Sequence, residues 1–348
     1  MKLLIITQVI DKNHPVLGFF HRWVEEFAAH CEQVTVICLQ AGVYDLPKNV
    51  HVYSLGKEEG KSHLVYLYRF YTYLWTLRHE YDQVFVHMNQ IYVILGAPVW
   101  RTLGKNVGLW YAHGAVSSSL KLSLKLSNFV FTSTKEGLRI NSPKRIIVGQ
   151  GIDFEIFKSI QKKDNVVLQL ITVGRISQSK NVETLLRACS LLKEKHIIFQ
   201  FKIVGIPTTD SEVLYAKEMY QLSQKLNLQK EVEWVGAIPN YDLPRLLQQS
   251  DVFIHDGSTN SLDKALVEAV LCGCIVLSSN PSYKALTKDI ASNYLYNQGD
   301  SAKLTDILVN LKRNSVEYEA VRNRFSNNFS IVRLISAIVS KYQAVPYD

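Results

Sequence analysis

Two stretches of this 348-residue chain combine side chains that can hold an anion and a sugar. The first reads Thr172-Val-Gly-Arg-Ile-Ser-Gln-Ser-Lys-Asn181. Gly174 lets the backbone turn where a strand ends. Arg175 can grip a phosphate with two parallel N–H donors, and Lys180 adds a point charge five residues later. Both sit beside a helix N-terminus, whose free N–H groups favour anions. As isolated features, two cations on a loop are equally what a solvated turn looks like. The second stretch, Asp256-Gly-Ser-Thr-Asn-Ser-Leu-Asp-Lys-Ala-Leu-Val-Glu-Ala269, opens another helix, with Asn260 or Ser261 as the expected cap. Glu268 lies two turns in, among Ala265, Ala269 and Val270, where a carboxylate needs a partner. A pair of ribose hydroxyls would serve, and so would a salt bridge to Arg175 or Lys180.

Other nucleotide signals are missing. There is no Walker sequence, and no G-x-G-x-x-G follows the first strand. Gly149 and Gly151 supply only half of that pattern, so a dinucleotide fingerprint is unsupported.

The elements that must position these residues follow from periodicity. Strands are expected at 3–9, 34–39, 50–53, 84–87, 107–111, 129–132 and 145–148, with helices at 18–30, 61–79, 91–103 and 116–126 between them. The second half repeats the alternation. Its strands are expected at 167–173, 199–204, 232–235, 252–255 and 275–278. Its helices are expected at 182–195, 211–226, 243–249, 261–272 and 302–312. Near-continuous apolar strands separated by helices indicate parallel sheets covered on both faces. The polar run 159–165 reads as a linker. Two Rossmann-like, doubly wound α/β domains follow, 1–158 and 159–328, with a last segment, 329–348, beyond them. Ligands of such sheets bind beyond the carboxyl ends of the strands, and the cleft between two facing domains is the expected active site.

Composition limits the alternatives. Hydrophobic residues make up 47% and charged residues 20%, which excludes a disordered or collagen-like chain. Five cysteines without C-x-x-C spacing read as reduced, buried thiols of a cytoplasmic protein. The start, MKLLIITQVI, reads as a buried strand rather than a signal peptide, and no apolar run is long enough to span a bilayer. The net charge of +8 favours anionic partners. Between residues 99 and 147 stand Arg101, Lys105, Lys121, Lys125, Lys135, Arg139, Lys144 and Arg145, opposed only by Glu136. The aromatic helix at 61–79 reads either as a membrane-surface helix or as a core helix with an aromatic face. No nucleic-acid motif accompanies it. Cys272-Gly-Cys274 reads as a helix-to-strand turn rather than a metal or redox site.

In their order along the chain, GR-x(4)-KN, VGAIPNYDLPRLLQQSDVFIHDG and the Glu inside LVEAVLCGCIVLSS resemble the family 4 glycosyltransferases of the GT-B fold. GQGIDFEIFK (149–158) and the pair His113–Gly114 extend the resemblance, which is strongest from 145 to 280. It implies retaining transfer of a sugar from a nucleotide sugar, such as a UDP- or GDP-sugar, with no metal and no other cofactor. With a glycan or lipid-linked acceptor, peripheral contact with an anionic inner-membrane face would make sense of the basic stretch 99–147, and no nucleic acid is expected; as in related folds, 329–348 is expected to cross back to the first domain. By the same resemblance, Arg175 and Lys180 would grip the donor diphosphate, Glu268 would accept from the ribose hydroxyls, and His113 would sit near the donor sugar. Gly18, in HPVLGFF, resembles the glycine loop that approaches the phosphates.

There is one departure. The family carries two Glu residues with seven between them, and counting back from Glu268 the first position is Asn260. Asn260-Ser261-Leu262-Asp263-Lys264-Ala265 replaces the usual E-G-F-G-L-P, the run that contacts the donor sugar. Asn260 keeps a hydrogen bond but no charge, and Asp263 either restores a carboxylate or faces solvent. A non-catalytic nucleotide- or glycan-binding partner is therefore the alternative reading, with a nucleotide-sugar epimerase behind it.

Overall fold

The computed structural model describes residues 1–113, 115–160, 166–311 and 316–344. Gly114, most of the expected linker, Lys312 and the last four residues lie outside them. The chain forms two compact units, 1–153 with 329–348, and 154–328.

The first unit runs β1 (Lys2–Ile10), α1 (Phe19–His30), β2 (Gln33–Ala41), β3 (Val50–Ser54), α2 (His63–Thr76), β4 (Gln83–His87), α3 (Ile91–Thr102), β5 (Asn106–Trp110), α4 (Ser118–Leu126), β6 (Phe129–Thr132) and β7 (Arg145–Ile147). The second contains β8 (Leu168–Val173), α5 (Val182–Glu194), β9 (Phe199–Val204), α6 (Asp210–Lys225), β10 (Val232–Gly236), α7 (Leu243–Gln249), β11 (Val252–His255), α8 (Lys264–Leu271), β12 (Ile275–Ser278), α9 (Pro281–Thr287), α10 (Ser301–Val309) and α11 (Val316–Asn328). The final helix, α12 (Ile331–Gln343), belongs to the first unit.

All strands pair in parallel, in the orders β3-β2-β1-β4-β5-β6-β7 and β10-β9-β8-β11-β12. Each sheet therefore reverses its winding beside its first strand, between β1 and β4 and between β8 and β11. That is where parallel sheets leave a crevice for ligands.

Strand alternation sorts the first core into two layers. Leu3 and Ile5 of β1 pack with Phe20, Trp23 and Phe27 of α1 and with Leu334, Ile335 and Ile338 of α12. Leu4 and Ile6 face the opposite layer, with Phe70 and Leu74 of α2, Trp100 of α3 and Leu120 of α4. The first unit extends to Asp153, not to the expected 158, because Asp153 receives Arg22 Nε at 3.0 Å and Ile152 exchanges backbone hydrogen bonds with Phe329 and Ile331.

The aromatic helix α2 packs one face into the core and leaves large apolar side chains outward on the other. Phe70 and Leu74 are in the core, while Leu64, Tyr68 and Trp75 are 78%, 72% and 59% exposed. The cation excess at 99–147 is divided as well. Lys144 Nζ donates to the carbonyls of Leu124, Lys125 and Ser127, Lys105 Nζ to that of Tyr81, and Arg145 to that of Leu138. Arg101, Lys121, Lys125, Lys135 and Arg139 are exposed. All five cysteines are buried and none forms a disulfide, and Gly273 turns the chain after α8 with φ +81°.

Candidate functional site

The loops after β8, β9 and β11 bring most of the expected residues together in the second unit. Gly174 leaves β8 with φ +149°, a conformation that favours glycine. A Cβ there would sit 3.0 Å from Lys180 Cε, so the bare backbone leaves room for the lysine stem. Gly205, after β9, has φ +136°, and a Cβ on it would lie 1.9 Å from the Gly174 carbonyl oxygen. Two strand ends thus approach closely enough to form a smooth floor.

The Lys180 ammonium reaches Asp263. Burial, with the Arg175 charge nearby, pulls Lys180 down to about 8. Arg175 is half-exposed. Its Nη1 donates to Glu212 Oε1 at 2.9 Å and to Thr208 Oγ1 at 3.4 Å. Asn181 adopts a left-handed φ of +47°, which a short amide tolerates. Its Nδ2 donates to Asp256 Oδ2 at 2.7 Å and Thr184 Oγ1 at 2.9 Å, fixing the strand-to-helix turn. Asp256 is fully buried and also accepts from the Gly299 N–H at 2.9 Å. Burial raises its carboxyl above the usual range, against these hydrogen bonds.

Two expectations for the second stretch are corrected. The helix starts at Lys264 and its cap is Asp263, whose Oδ1 accepts from the Ala265 N–H at 3.3 Å; neither Asn260 nor Ser261 caps it. The cause lies further along the chain. The buried Asn280 amide donates to the carbonyls of Thr259 and Ser261 at 2.8 and 3.0 Å, and the Ser282 hydroxyl donates to that of Asn260. These bonds hold 259–261 as a loop, with Leu262 buried beneath it. Asp263 accordingly does not simply face solvent.

Glu268, 3% exposed, meets neither Arg175 nor Lys180. Its Oε1 accepts from Lys264 Nζ, one helical turn back, and from Asn240 Nδ2 at 3.3 Å. Sequence reasoning passed over Lys264, although the i,i+4 spacing to Glu268 was visible. His255 and Asp256 stand at the head of the second stretch itself, whereas Asn240 and Asn280 reach it only through the tertiary pairing of loops.

Gly18 and His113 lie in the first unit, beyond the carboxyl edge of its sheet. A Cβ on Gly18 would come within 2.6 and 2.9 Å of the His14 and Lys12 carbonyl oxygens, so the 11–18 loop closes only around glycine. His113 is exposed after β5. Among the described residues no cluster of His, Cys, Asp and Glu has the makings of a metal site. The second unit thus brings two cations, Arg175 and Lys180, to the end of β8 and a buried carboxylate, Glu268, to α8.

The family model for glycosyl transferases group 1 matches residues 153–329. The chain is 26% identical over 181 residues to a putative colanic acid biosynthesis glycosyltransferase of Salmonella typhimurium, covering 49% of this chain and 43% of that one. It is 25% identical over 222 residues to the UDP-Gal:α-D-GlcNAc-diphosphoundecaprenol α-1,3-galactosyltransferase of Escherichia coli, covering 59% and 55%. It thus spans about half the length, or less, of the curated relatives it matches. Among solved structures, an Anabaena protein in complex with UDP and glucose superimposes with a TM-score of 0.78 at 17% identity, over 99% of this chain and all of that one. Sucrose-phosphate synthase of Thermosynechococcus elongatus gives 0.78 at 13%, over 99% and 98%. At these identities the likeness is one of fold: two parallel-sheet α/β units of the GT-B kind.

Proposed function

Since the chain belongs to the group 1 glycosyl transferases, we propose that it moves a sugar from a nucleotide-sugar donor to a glycan or lipid-linked acceptor, with retention of configuration and without a metal. The observation that carries this reading is the pair Arg175 and Lys180 after β8, the strand beside which the second sheet reverses its winding toward β11, with Gly174 and Gly205 closing the ends of β8 and β9. As the bond from sugar to phosphate breaks, negative charge develops on the diphosphate, and two fixed cations stabilise it without reorganising. Glu268 accepts from the ribose hydroxyls, which would replace Lys264 on its oxygen. The 260–262 loop, held by Asn280 and Ser282, presents Asn260, Ser261 and backbone groups to the sugar.

The acceptor class rests on two supports. Two relatives are named for the biosynthesis of colanic acid and of amylovoran, and a third for transfer to a GlcNAc-diphosphoundecaprenol. The helices α2, α3 and α4 carry no Asp or Glu, and α2 shows Leu64, Tyr68 and Trp75 outward, with Arg78 4.7 Å above the Trp75 ring. Exposed aromatics with cations and no acids suit the interface of an anionic bilayer. Among the described residues no helix is long and apolar enough to cross a membrane.

The test is transfer from a panel of UDP-, GDP- and ADP-sugars to lipid-diphosphate sugars, followed by mass spectrometry. Lys180→Ala and Arg175→Ala are expected to lower kcat by about 10²–10³-fold, the scale for removing one preorganised donor at developing charge. Wild-type rates in both variants would refute the assigned roles. The internal ion pairs and Asn260 favour one second reading, a nucleotide-binding partner protein without turnover. Binding of a nucleotide with no product across the whole panel would select it.

A further inference from the structure

At the N-terminus of α8, the capping residue and the first helical residue, of opposite charge, each engage one group of the proposed donor set. Asp263 Oδ2 accepts from Lys180 Nζ and lies 3.2 Å from His255 Nε2. Lys264 Nζ donates to Glu268 Oε1.

The surrounding hydrogen bonds fix the state of the histidine. The Gly257 N–H donates to His255 Nδ1 at 3.3 Å. The Ser278 hydroxyl accepts from the Asn280 N–H at 3.1 Å and stands 3.2 Å from the same Nδ1, so its proton is directed to the ring. Nδ1 is thus the acceptor, and the ring proton sits on Nε2, aimed at Asp263. Burial and the charge of Lys180 keep this histidine neutral. Asp263 therefore holds three donors at once: an ammonium and an imidazole N–H on one oxygen, and the Ala265 N–H on the other. That oxygen occupies, on Lys180, the place a phosphate oxygen would take.

We propose that Asp263 is an internal competitor for the donor diphosphate at Lys180, that Lys264 is the matching competitor for ribose hydroxyls at Glu268, and that this dipeptide sets how tightly the site holds nucleotide. The inference rests on the transferase reading of the same site. Binding then proceeds by exchange: Lys180 passes from Asp263 to the diphosphate, and Lys264 from Glu268 to another partner. Each displaced group has somewhere to go. Asp263 keeps the His255 and Ala265 hydrogen bonds, and Lys264 already lies 5.3 Å from the centre of the Phe157 ring, within range of a cation–π contact. The spent nucleoside diphosphate leaves by the reverse exchange, with both ion pairs re-forming behind it.

Titration calorimetry on the full chain separates the two halves. The probes are inorganic pyrophosphate, uridine, and the diphosphates UDP, GDP and ADP. Asp263→Asn and Asp263→Ser remove the charge but keep a good helix cap, so a melting curve is expected to show both folded. Diphosphate-bearing probes should bind about tenfold more tightly to these variants, the equivalent of ~1.4 kcal/mol, while uridine is unchanged. Lys264→Met should instead tighten uridine and leave pyrophosphate unchanged. Unchanged or weaker diphosphate binding in a folded Asp263 variant overturns the proposal and leaves the transferase reading standing. If both Asp263 variants unfold, the Lys264→Met titration decides in the same way. No nucleotide binding by the wild type or any variant overturns the transferase reading and the inference together.

Discussion

Where β1 and β4 lie side by side, the crevice of the first sheet is filled by the protein itself. His87, at the end of β4, stacks on Phe20 with ring centres 4.0 Å apart, and Phe19 and Trp23 close around it at 6.2 and 5.7 Å. Its Nδ1 is 3.3 Å from Thr7 Oγ1, and burial drives the imidazole down to about 3. The equivalent crevice, between β8 and β11, holds Lys180, Asp263 and Asp256. One strand order thus supports a dry aromatic plug in one unit and a charged pocket in the other. Topology supplies the opening, and the side chains at the strand ends decide whether anything polar is admitted.

If the first crevice is a dry plug, acid should break it first. The folded pKa of His87 lies below its unfolded value, so between pH 6.5 and 3 only the unfolded chain takes up the proton. Stability is unaffected above pH 6.5 and falls as the pH drops through that window, by at most about 5 kcal/mol. Urea titrations across this range should show the loss, and His87→Phe should flatten it. An unchanged acid slope in the variant would mean the crevice is wetter than its packing indicates.

If the second crevice works by charge, alkali should blunt it. Lys180 loses its proton near pH 8, so affinity for a nucleoside diphosphate should fall about tenfold per pH unit above that point. Lys180→Ala should be weak and flat over the same range. A flat profile in the wild type would remove Lys180 from the diphosphate site.

The smallest effect concerns charge on the outside of the first unit. Vesicle pelleting should weaken with salt, and each of Lys121→Gln and Lys125→Gln should cost about 1 kcal/mol of binding to anionic lipid. Salt-independent pelleting, or none, would return these lysines to the role of solvated helix faces.

The parts of this comparison that the residues disclose in advance are the local ones. Phe129–Thr132 and Val252–His255 are short apolar runs between turn residues, and they are strands with those same limits. The loop carrying Arg175 and Lys180 was legible because glycine, cations and a helix start fall within ten residues. The pairing of Lys180 with Asp263 was not, because 83 residues separate them and only the adjacency of β8 and β11 joins them. The start of α8 was misplaced for the same reason, since Asn280 and Ser282 decide it from the far side of β12. Two helices were overlooked. In α9, the capping Asn280 before Pro281 was a readable start signal. In α11 the helix is mostly polar and buries only Tyr318, Val321 and Phe325, too thin a stripe to stand out.

The last helix has a consequence for the order of assembly. Tyr342 hydrogen-bonds to the Val84 carbonyl at 2.6 Å, and the face of α12 from Ile331 to Tyr342 completes the layer over α1. At Gly108 there is room for no side chain, because a Cβ would lie 2.2 Å from the Tyr342 hydroxyl oxygen. During synthesis, all of 154–328 is made before that missing layer exists. The unit that begins first must therefore wait, with one face of its sheet uncovered, while the unit that begins second has everything it needs to fold. A chain truncated after residue 328 would present a finished second unit tethered to an open first one, the species for which a chaperone has most to cover.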